Sequence, residues 1–378
     1  MVAALKALNN FGQLFINDTP LIDTRSPGEF AKGSFPNAVN LPLMTDEERA
    51  QVGTCYKHQG QQAAIDLGHQ LVRGNTKAER LARWKMFAEQ HPQGALFCWR
   101  GGLRSEITQG WLAEVGIDYP RIQGGYKALR RWLLETFENL CSTHPLLVIG
   151  GKTGCAKTRL LVEGNNGKPF PGTVDLEGLA NHRGSAFGRR PGGQPTQLAF
   201  EIALAIDFFK ASQRQSGPIL IEDESRLIGR CALPPILQEA KNAAPIVLLN
   251  APLDERVEHS FENYILANLH EISATQPNPQ LAFDHFSEGL LGALDRVKKR
   301  LGGDRHKALQ AIMLEALENH RLGDASGHRD WIRTLLEQYY DPMYNYQLDH
   351  RRQRVAFEGN HREVASYLQS LGAPSGPA

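Results

Sequence analysis

Short apolar runs alternate with amphipathic stretches along the first part of the chain. Pro20–Asp23 (PLID) and Ala95–Cys98 (ALFC) have the length and composition of buried strands. Between them, Leu81, Trp84 and Phe87 recur at three-residue spacing within Thr76–Gln90, the stripe that one face of a helix presents. Arg104–Val115 reads as a second helix, directly after a glycine-containing turn. Ser142–Pro145 breaks the pattern, and Leu146–Ile149 opens a second series of strands. Ile219–Ile221 and Ile246–Leu249 continue it, with helix-length segments such as Gln197–Ala211 between them. From about Leu253 the pattern turns mainly helical and more charged. A short strand at Arg354–Phe357 and a helix at His361–Leu371 follow, and residues 372–378 (GAPSGPA) read as a frayed tail. Two rounds of strand–helix alternation predict an α/β fold in two domains, 1–140 and 141–378, the second with a mainly helical part over about 253–378. There is no internal repeat.

Composition narrows the class. The 378 residues are 41% hydrophobic and 22% charged, the range of ordinary globular domains. Lys and Arg number 42 against 41 Asp and Glu, so a binder driven by bulk positive charge is excluded, while local basic patches stay open. The first residues lack a basic region followed by an apolar core and a small-residue cleavage site, and no run of about 18 apolar residues occurs later. The chain therefore reads as cytoplasmic, with no membrane partner. Five cysteines, without a C-x-x-C pair, suggest neither a disulfide framework nor a zinc cage.

One cysteine stands apart. Cys98 ends a predicted strand, and its loop (Trp99, Arg100, Gly101, Gly102, Leu103) leads into a predicted helix carrying Arg104 and Ser105. Backbone N–H groups at such a turn, the helix dipole and the guanidinium groups of Arg100 and Arg104 would stabilise a thiolate and an oxyanion beside it. Gly101 and Gly102 would let the backbone approach that anion closely. The plainer alternative is an inert, buried thiol.

Upstream, Asp23, Arg25, Glu29-Phe30, Gly33, Pro36-Asn37-Ala38 and Asn40-Leu41-Pro42 occur in the order that opens rhodanese-like domains, which this segment resembles. Gln123-Gly124-Gly125-Tyr126 resembles the end of such a domain. The resemblance implies that Cys98 carries a chalcogen as a persulfide-like group, and that Asp23 and Arg25 are structural. The C-x5-R spacing of Cys98 and Arg104 is also the one cysteine-dependent phosphatases use, so a phosphatase remains a rival.

A second chemical loop follows Leu146–Ile149. Gly151, Gly154, Lys157 and Thr158 sit where a G-x-x-x-x-G-K-[ST] phosphate loop places them, with Ala156 in place of the second glycine. Lys157 would reach a phosphate and Thr158 could ligate Mg²⁺. Glu222 and Asp223 end the strand Ile219–Ile221, where P-loop proteins keep an acidic residue near the metal; Asp223 is the candidate carried forward.

A rhodanese-like domain followed by a P-loop NTPase-like domain with a helical extension resembles the tRNA 2-selenouridine synthase family. Glu47-Glu48-Arg49, Val52–Lys57, Leu67-Gly68-His69 and Val174–Gly188 match that family in order. The resemblance implies a transferase that replaces the sulfur of wobble 2-thiouridine in tRNA with selenium from selenophosphate. It also implies S-geranylation by geranyl diphosphate, and no redox cofactor. The alternatives are the C-x5-R phosphatase and a sulfurtransferase with a regulatory P-loop domain. On this reading Cys98 handles selenium, Arg100 and Arg104 neutralise phosphate, and Lys157 and Thr158 hold the diphosphate. The segment Cys55–Leu71 would wall an apolar slot in which Gly68 leaves space, although helix tolerance or a tight packing contact is the favoured reading of that glycine. Asn181, His182, Arg183, Ser185 and Phe187 form a candidate substrate-contact loop, with His182 either an acid/base or a structural histidine. Candidate tRNA stripes are Lys127–Arg131, Arg189-Arg190, Arg296–Arg300 and Arg351–Arg354. The enzyme that makes selenophosphate is a further partner the resemblance implies.

Overall fold

A computed structural model describes residues 6–214 and 217–371; the 372–378 tail lies outside the described residues. The chain divides into two compact units, Met1–Phe137 with Glu201–Ile206, and Glu138–Phe200 with Asp207–Ala378. Each contains a five-stranded parallel sheet, as the apolar, strand-length runs require. Among the described residues no helix is long and apolar enough to cross a membrane.

In the first unit the strands lie in the order Ala7–Leu8, Arg121–Ile122, Ala95–Phe97, Leu21–Asp23, Ala38–Asn40. Leu21–Asp23 and Ala95–Phe97 are buried throughout and pair in parallel, Asp23 opposite Phe97. The chain runs from Leu21–Asp23 to Ala38–Asn40 on one side, then crosses to Ala95–Phe97 on the other. The strand order thus reverses between the two central strands, and Cys98 emerges at that crevice, the usual ligand position in an open parallel sheet. Helices Gly74–Gln90 and Leu103–Glu114 bring Trp84, Phe87, Trp111 and Leu112 into a core with Ile22 and Leu96.

The segment Asp46–Leu71 starts with a capping box: Thr45 N donates to Glu48 Oε2 at 2.8 Å, and Glu48 N donates to Thr45 Oγ1 at 3.3 Å. It is not one rod. Gly60 has φ +85° and ψ −177°, and a Cβ built on Gly68 would lie 3.9 Å from Val52 Cγ2. Along a continuous helix those positions would be about 24 Å apart at 1.5 Å per residue, so the two arms fold back on each other at Gly60.

The second sheet runs Val355–Gly359, Ile246–Leu249, Leu146–Gly150, Ile219–Glu222, Thr173–Val174. Its register sets Ile149 opposite Glu222, so a carboxylate stands beside the start of the phosphate loop. Beyond the sheet, helices Leu253–Phe261, Pro279–Leu301, Gly303–Arg321 and His328–Leu335 pack around Phe261, Ile265, Phe286, Leu294, Met313 and Trp331. The helical reading from about Leu253 corresponds to this bundle.

Gly60→Ala isolates a backbone effect. Nothing lies within 4 Å of the added methyl, yet φ and ψ belong to a region that essentially only glycine occupies. The variant is expected to lose about 1–3 kcal/mol of stability in chemical denaturation; an unchanged midpoint would show that the arms do not depend on this turn.

Candidate active site

The Cys98 loop is closed by its own backbone. Tyr126 N donates to Cys98 O at 2.9 Å and Lys127 N to Trp99 O at 3.0 Å, so the helix Gly125–Thr143 begins against the loop. Gly101 has φ +64°, and a Cβ there would meet Gly124 N at 2.6 Å and Gly125 N at 2.7 Å. Only glycine permits that approach. Gly102 caps the helix Leu103–Glu114. The Cys98 sulfur is buried beneath the loop, 3.3 Å from Ser105 Oγ and 3.7 Å from Gly102 O. Ser105 Oγ in turn donates to Gly102 O at 2.8 Å.

The two loop arginines differ. Arg100 is exposed, and its side chain has no hydrogen-bond or ion-pair partner among the described residues. Arg104 donates to Glu29 Oε2 at 2.6 Å, and Arg49 sits 3.2 Å from the other Glu29 oxygen. Burial opposes the Glu29 carboxylate, but Arg104, the Ser26 amide and Arg49 outweigh it and hold its pKa below the ordinary value. Behind the loop, Arg25 is buried on Asp23 at 2.6 Å and lies 3.8 Å from the centre of the Tyr126 ring. Both side chains point into structure.

A cavity of about 640 Å³ adjoins this loop, lined by Val52, Ala64, Gly68, Leu103, Arg104 and Trp111 among others. Both arms of the folded-back segment wall it, and Arg104 belongs to the cavity as well as to the Cys98 loop.

In the second unit, Gly151 (φ +151°) and Gly154 (φ +84°) bend the phosphate loop, and Ala156 takes the left-handed conformation at φ +59° before the helix Lys157–Glu163. A non-glycine residue tolerates that conformation at a modest strain cost, and the loop keeps its turn. Lys157 Nζ donates to Gly151 O at 3.1 Å. Burial opposes its charge, but the Cys155 sulfur, Glu224 and Glu177 more than reverse this and hold its pKa above the ordinary lysine value. Thr158 Oγ1 donates to Glu177 Oε2 at 3.2 Å and also contacts Glu222 Oε1. Arg256 is buried, donates to Thr153 O at 2.9 Å and pairs with Asp341, bracing the loop from outside. A cavity of about 620 Å³ opens beside Gly154, Ala156 and Arg159, with His259 and His361 on its walls.

Asp223 is not at Thr158. It pairs with Arg351 at 2.9 Å and Lys241 at 3.3 Å; these cations outweigh burial and keep its pKa below the ordinary value. Consecutive strand residues face opposite sides, and Glu222 takes the inward position that Asp223 was expected to hold. Thr158 and Asp223 therefore do not fit a Mg²⁺ site, and among the described residues no group of three His, Cys, Asp or Glu is arranged to hold a metal.

The loop expected to contact substrate is divided. Asn181 (φ +47°) donates to Gly193 O at 2.7 Å and Pro191 O at 3.2 Å, which holds the loop's own turn. Ser185 Oγ accepts from Phe187 N at 3.2 Å. Phe187 is buried against Trp331, its ring centroid 5.3 Å away, and is a core residue. His182 is buried, and desolvation with Arg189, Arg296 and Arg183 nearby lowers its pKa to about 4. A neutral imidazole at ordinary pH is a poor general acid. Arg183 pairs with Glu271 at 2.8 Å. The positions that residue patterns did not single out are Ser105, Glu177, Glu224 and Arg256. Glu177 lay within the Val174–Gly188 stretch and Glu224 beside Glu222, but only tertiary folding brings them to Lys157.

Burial, with Asp175 and Glu224 nearby, raises the Glu222 pKa from 4.5 to about 8. The folded state keeps a proton that the unfolded chain loses above about 4.5, so it binds more protons across that window. Stability is therefore expected to fall as pH rises towards about 8, and Glu222→Gln should flatten the fall in thermal melts. Equal slopes for wild type and variant would contradict this protonation state.

Comparisons with known proteins agree on one group. A family model described as the tRNA 2-selenouridine synthase AAA domain matches residues 144–373. Proteins named tRNA 2-selenouridine synthase are similar over nearly the whole length. That of Hahella chejuensis is 53% identical over 358 residues, covering 94% of this chain and 92% of the relative. That of Marinobacter nauticus is 47% identical, covering 96% and 97%, and that of Alcanivorax borkumensis 48% identical, covering 94% and 97%. With a phosphate loop in a parallel sheet and a helical region behind it, the chain belongs to the tRNA 2-selenouridine synthase family.

Proposed function

We propose that the protein replaces the sulfur of 2-thiouridine at the tRNA wobble position with selenium from selenophosphate, by way of an S-geranyl intermediate. The observation that carries the reading is 53% identity over 94% of the chain to a relative bearing the tRNA 2-selenouridine synthase name. The first unit is read as rhodanese-like, in keeping with a cysteine at the crevice of a parallel sheet and the buried Asp23–Arg25 pair beneath it.

The chemistry accounts for two loops. The thiocarbonyl sulfur attacks the first carbon of geranyl diphosphate, and the C–O bond breaks with its electron pair on the diphosphate. Lys157 and the amides of Gly151–Thr158 meet that growing charge, so they stabilise the transition state more than the ground state. The alkylated sulfur is now a competent leaving group. The selenium of selenophosphate adds to the ring carbon and geranyl thiolate departs, taking a proton from solvent; water then attacks phosphorus, the Se–P bond breaks with its electron pair on selenium, and phosphate is released.

Cys98 guides the selenophosphate to the ring carbon, and the unpaired Arg100 with Arg104 neutralises the phosphate of the donor. The cavity lined by Val52, Ala64, Gly68 and Trp111 suits an apolar geranyl chain; a side chain at Gly68 would project towards Val52 and narrow it. The selenophosphate itself comes from the enzyme that produces it.

Nucleoside mass spectrometry on 2-thiouridine tRNA incubated with both donors tests the roles. Wild type should yield 2-selenouridine, Cys98→Ser should accumulate S-geranyl-2-thiouridine, and Lys157→Ala should leave the thiouridine in place with at least a hundredfold less product. Release of phosphate from aryl phosphates that is abolished by Cys98→Ser, with thiouridine untouched, would favour the phosphatase instead.

A further inference from the structure

The four basic stripes of the sequence are not equivalent once their partners are known. In Arg351–Arg354, Arg351 pairs with Asp223 at 2.9 Å and Arg352 with Glu358 at 2.8 Å. Arg354 Nη1 donates to the carbonyls of Lys241 at 2.9 Å and Ala244 at 3.2 Å. That stripe is consumed by the fold.

The loop 182–189 is different. His182 and Arg189 form an antiparallel bridge, Arg183 N donates to Gly188 O at 2.8 Å, and buried Phe187 anchors the turn in the helical core. Arg296, on the helix Pro279–Leu301, donates from Nη2 to Ala186 O at 2.8 Å and so joins the same loop. Arg183, Arg189, Arg190 and Arg296 are thereby gathered with a single carboxylate among their ion-pair partners, Glu271, which takes Arg183 and Arg190 at 2.8 Å each.

The Arg189 side chain is exposed and has no hydrogen-bond or ion-pair partner among the described residues. Arg183 Nη1 and His182 Nδ1 are buried with no partner, His182 being 5% exposed. The cations also repel one another: burial and Arg189 lower the Arg296 pKa. A fold that gathers like charge and leaves a buried guanidinium N–H of Arg183 unmatched is suited to an anion. Lys299 and Arg300, three and four positions beyond Arg296, extend the charge along the same exposed helix face.

We propose that Arg189 and Arg296, with Arg183 beside them, hold backbone phosphates of the RNA substrate, and that Lys299 and Arg300 continue this track. The inference rests on the tRNA reading above and identifies which surface serves it. A row of exposed cations extending along a helix matches the spaced charges of a polynucleotide better than a single small phosphate.

The test is fluorescence-detected binding of 2-thiouridine tRNA across a salt series, with steady-state kinetics alongside. Arg189→Ala and Arg296→Ala should each weaken binding and reduce the slope of log K against log salt by about one, and the double variant by about two. KM for tRNA should rise with kcat unchanged, and Arg296→Lys should keep the slope. Arg321→Ala removes an exposed arginine paired with Asp284 at 2.7 Å and should leave the slope unchanged. If wild type binds and the double variant keeps its slope, or Arg321→Ala lowers it equally, the assignment is wrong. If wild type does not bind tRNA, the substrate reading fails and the assignment falls with it.

Discussion

A buried ammonium needs negative charge close by, and the second unit is organised around that requirement at Lys157. Its position is fixed by the strand Leu146–Gly150 and the turn through Ala156. The charge that keeps it an ammonium comes from Glu224, just past the end of Ile219–Glu222, and Glu177 on the short helix Leu176–Leu179. Glu177 and Glu222 also bind Thr158, so one hydroxyl and one ammonium tie two separate segments to the phosphate loop. The carboxylates are themselves under strain. Glu177 is raised well above the ordinary value by burial and by Glu222 and Glu224, and Glu222 and Glu224 are raised too. Carboxylates raised in this way take up protons when further anionic charge arrives at the loop.

The first unit meets a related demand with different means. Its buried cation, Arg25, is neutralised by Asp23 and covered by Tyr126, and plays no part at the surface. This leaves Arg100 and Arg104 as the cations of the Cys98 loop, the second held in place by Glu29. Arg104 also lines the neighbouring cavity, so one residue belongs to both the Cys98 loop and that space.

Local features were the legible ones. Short apolar runs gave the central strands Ala95–Phe97 and Ile246–Leu249 because a strand buried on both faces has few other compositions. Both loops were recognisable because their glycines and cations are contiguous. Features made by distant residues were hidden. Asp223 looked like the inward carboxylate, but Arg351 lies 128 positions away in sequence and Lys241 18, and no local pattern announces that they meet it. Phe187 sat in a polar, glycine-rich loop and gave no sign that Trp331 would bury it. No local pattern marks the turn at Gly60, and only its backbone angles reveal the fold-back.

The central claim is that the two loops perform separable steps: alkylation at Lys157, selenium delivery at Cys98. The most direct measurement supplies tRNA already carrying S-geranyl-2-thiouridine, together with selenophosphate, to the Lys157→Ala and Cys98→Ser proteins and follows 2-selenouridine by mass spectrometry. Lys157→Ala should convert it at close to the wild-type rate, since the step it lacks has been bypassed, and Cys98→Ser should not. Failure of both variants, or turnover by Cys98→Ser alone, would contradict the division of labour.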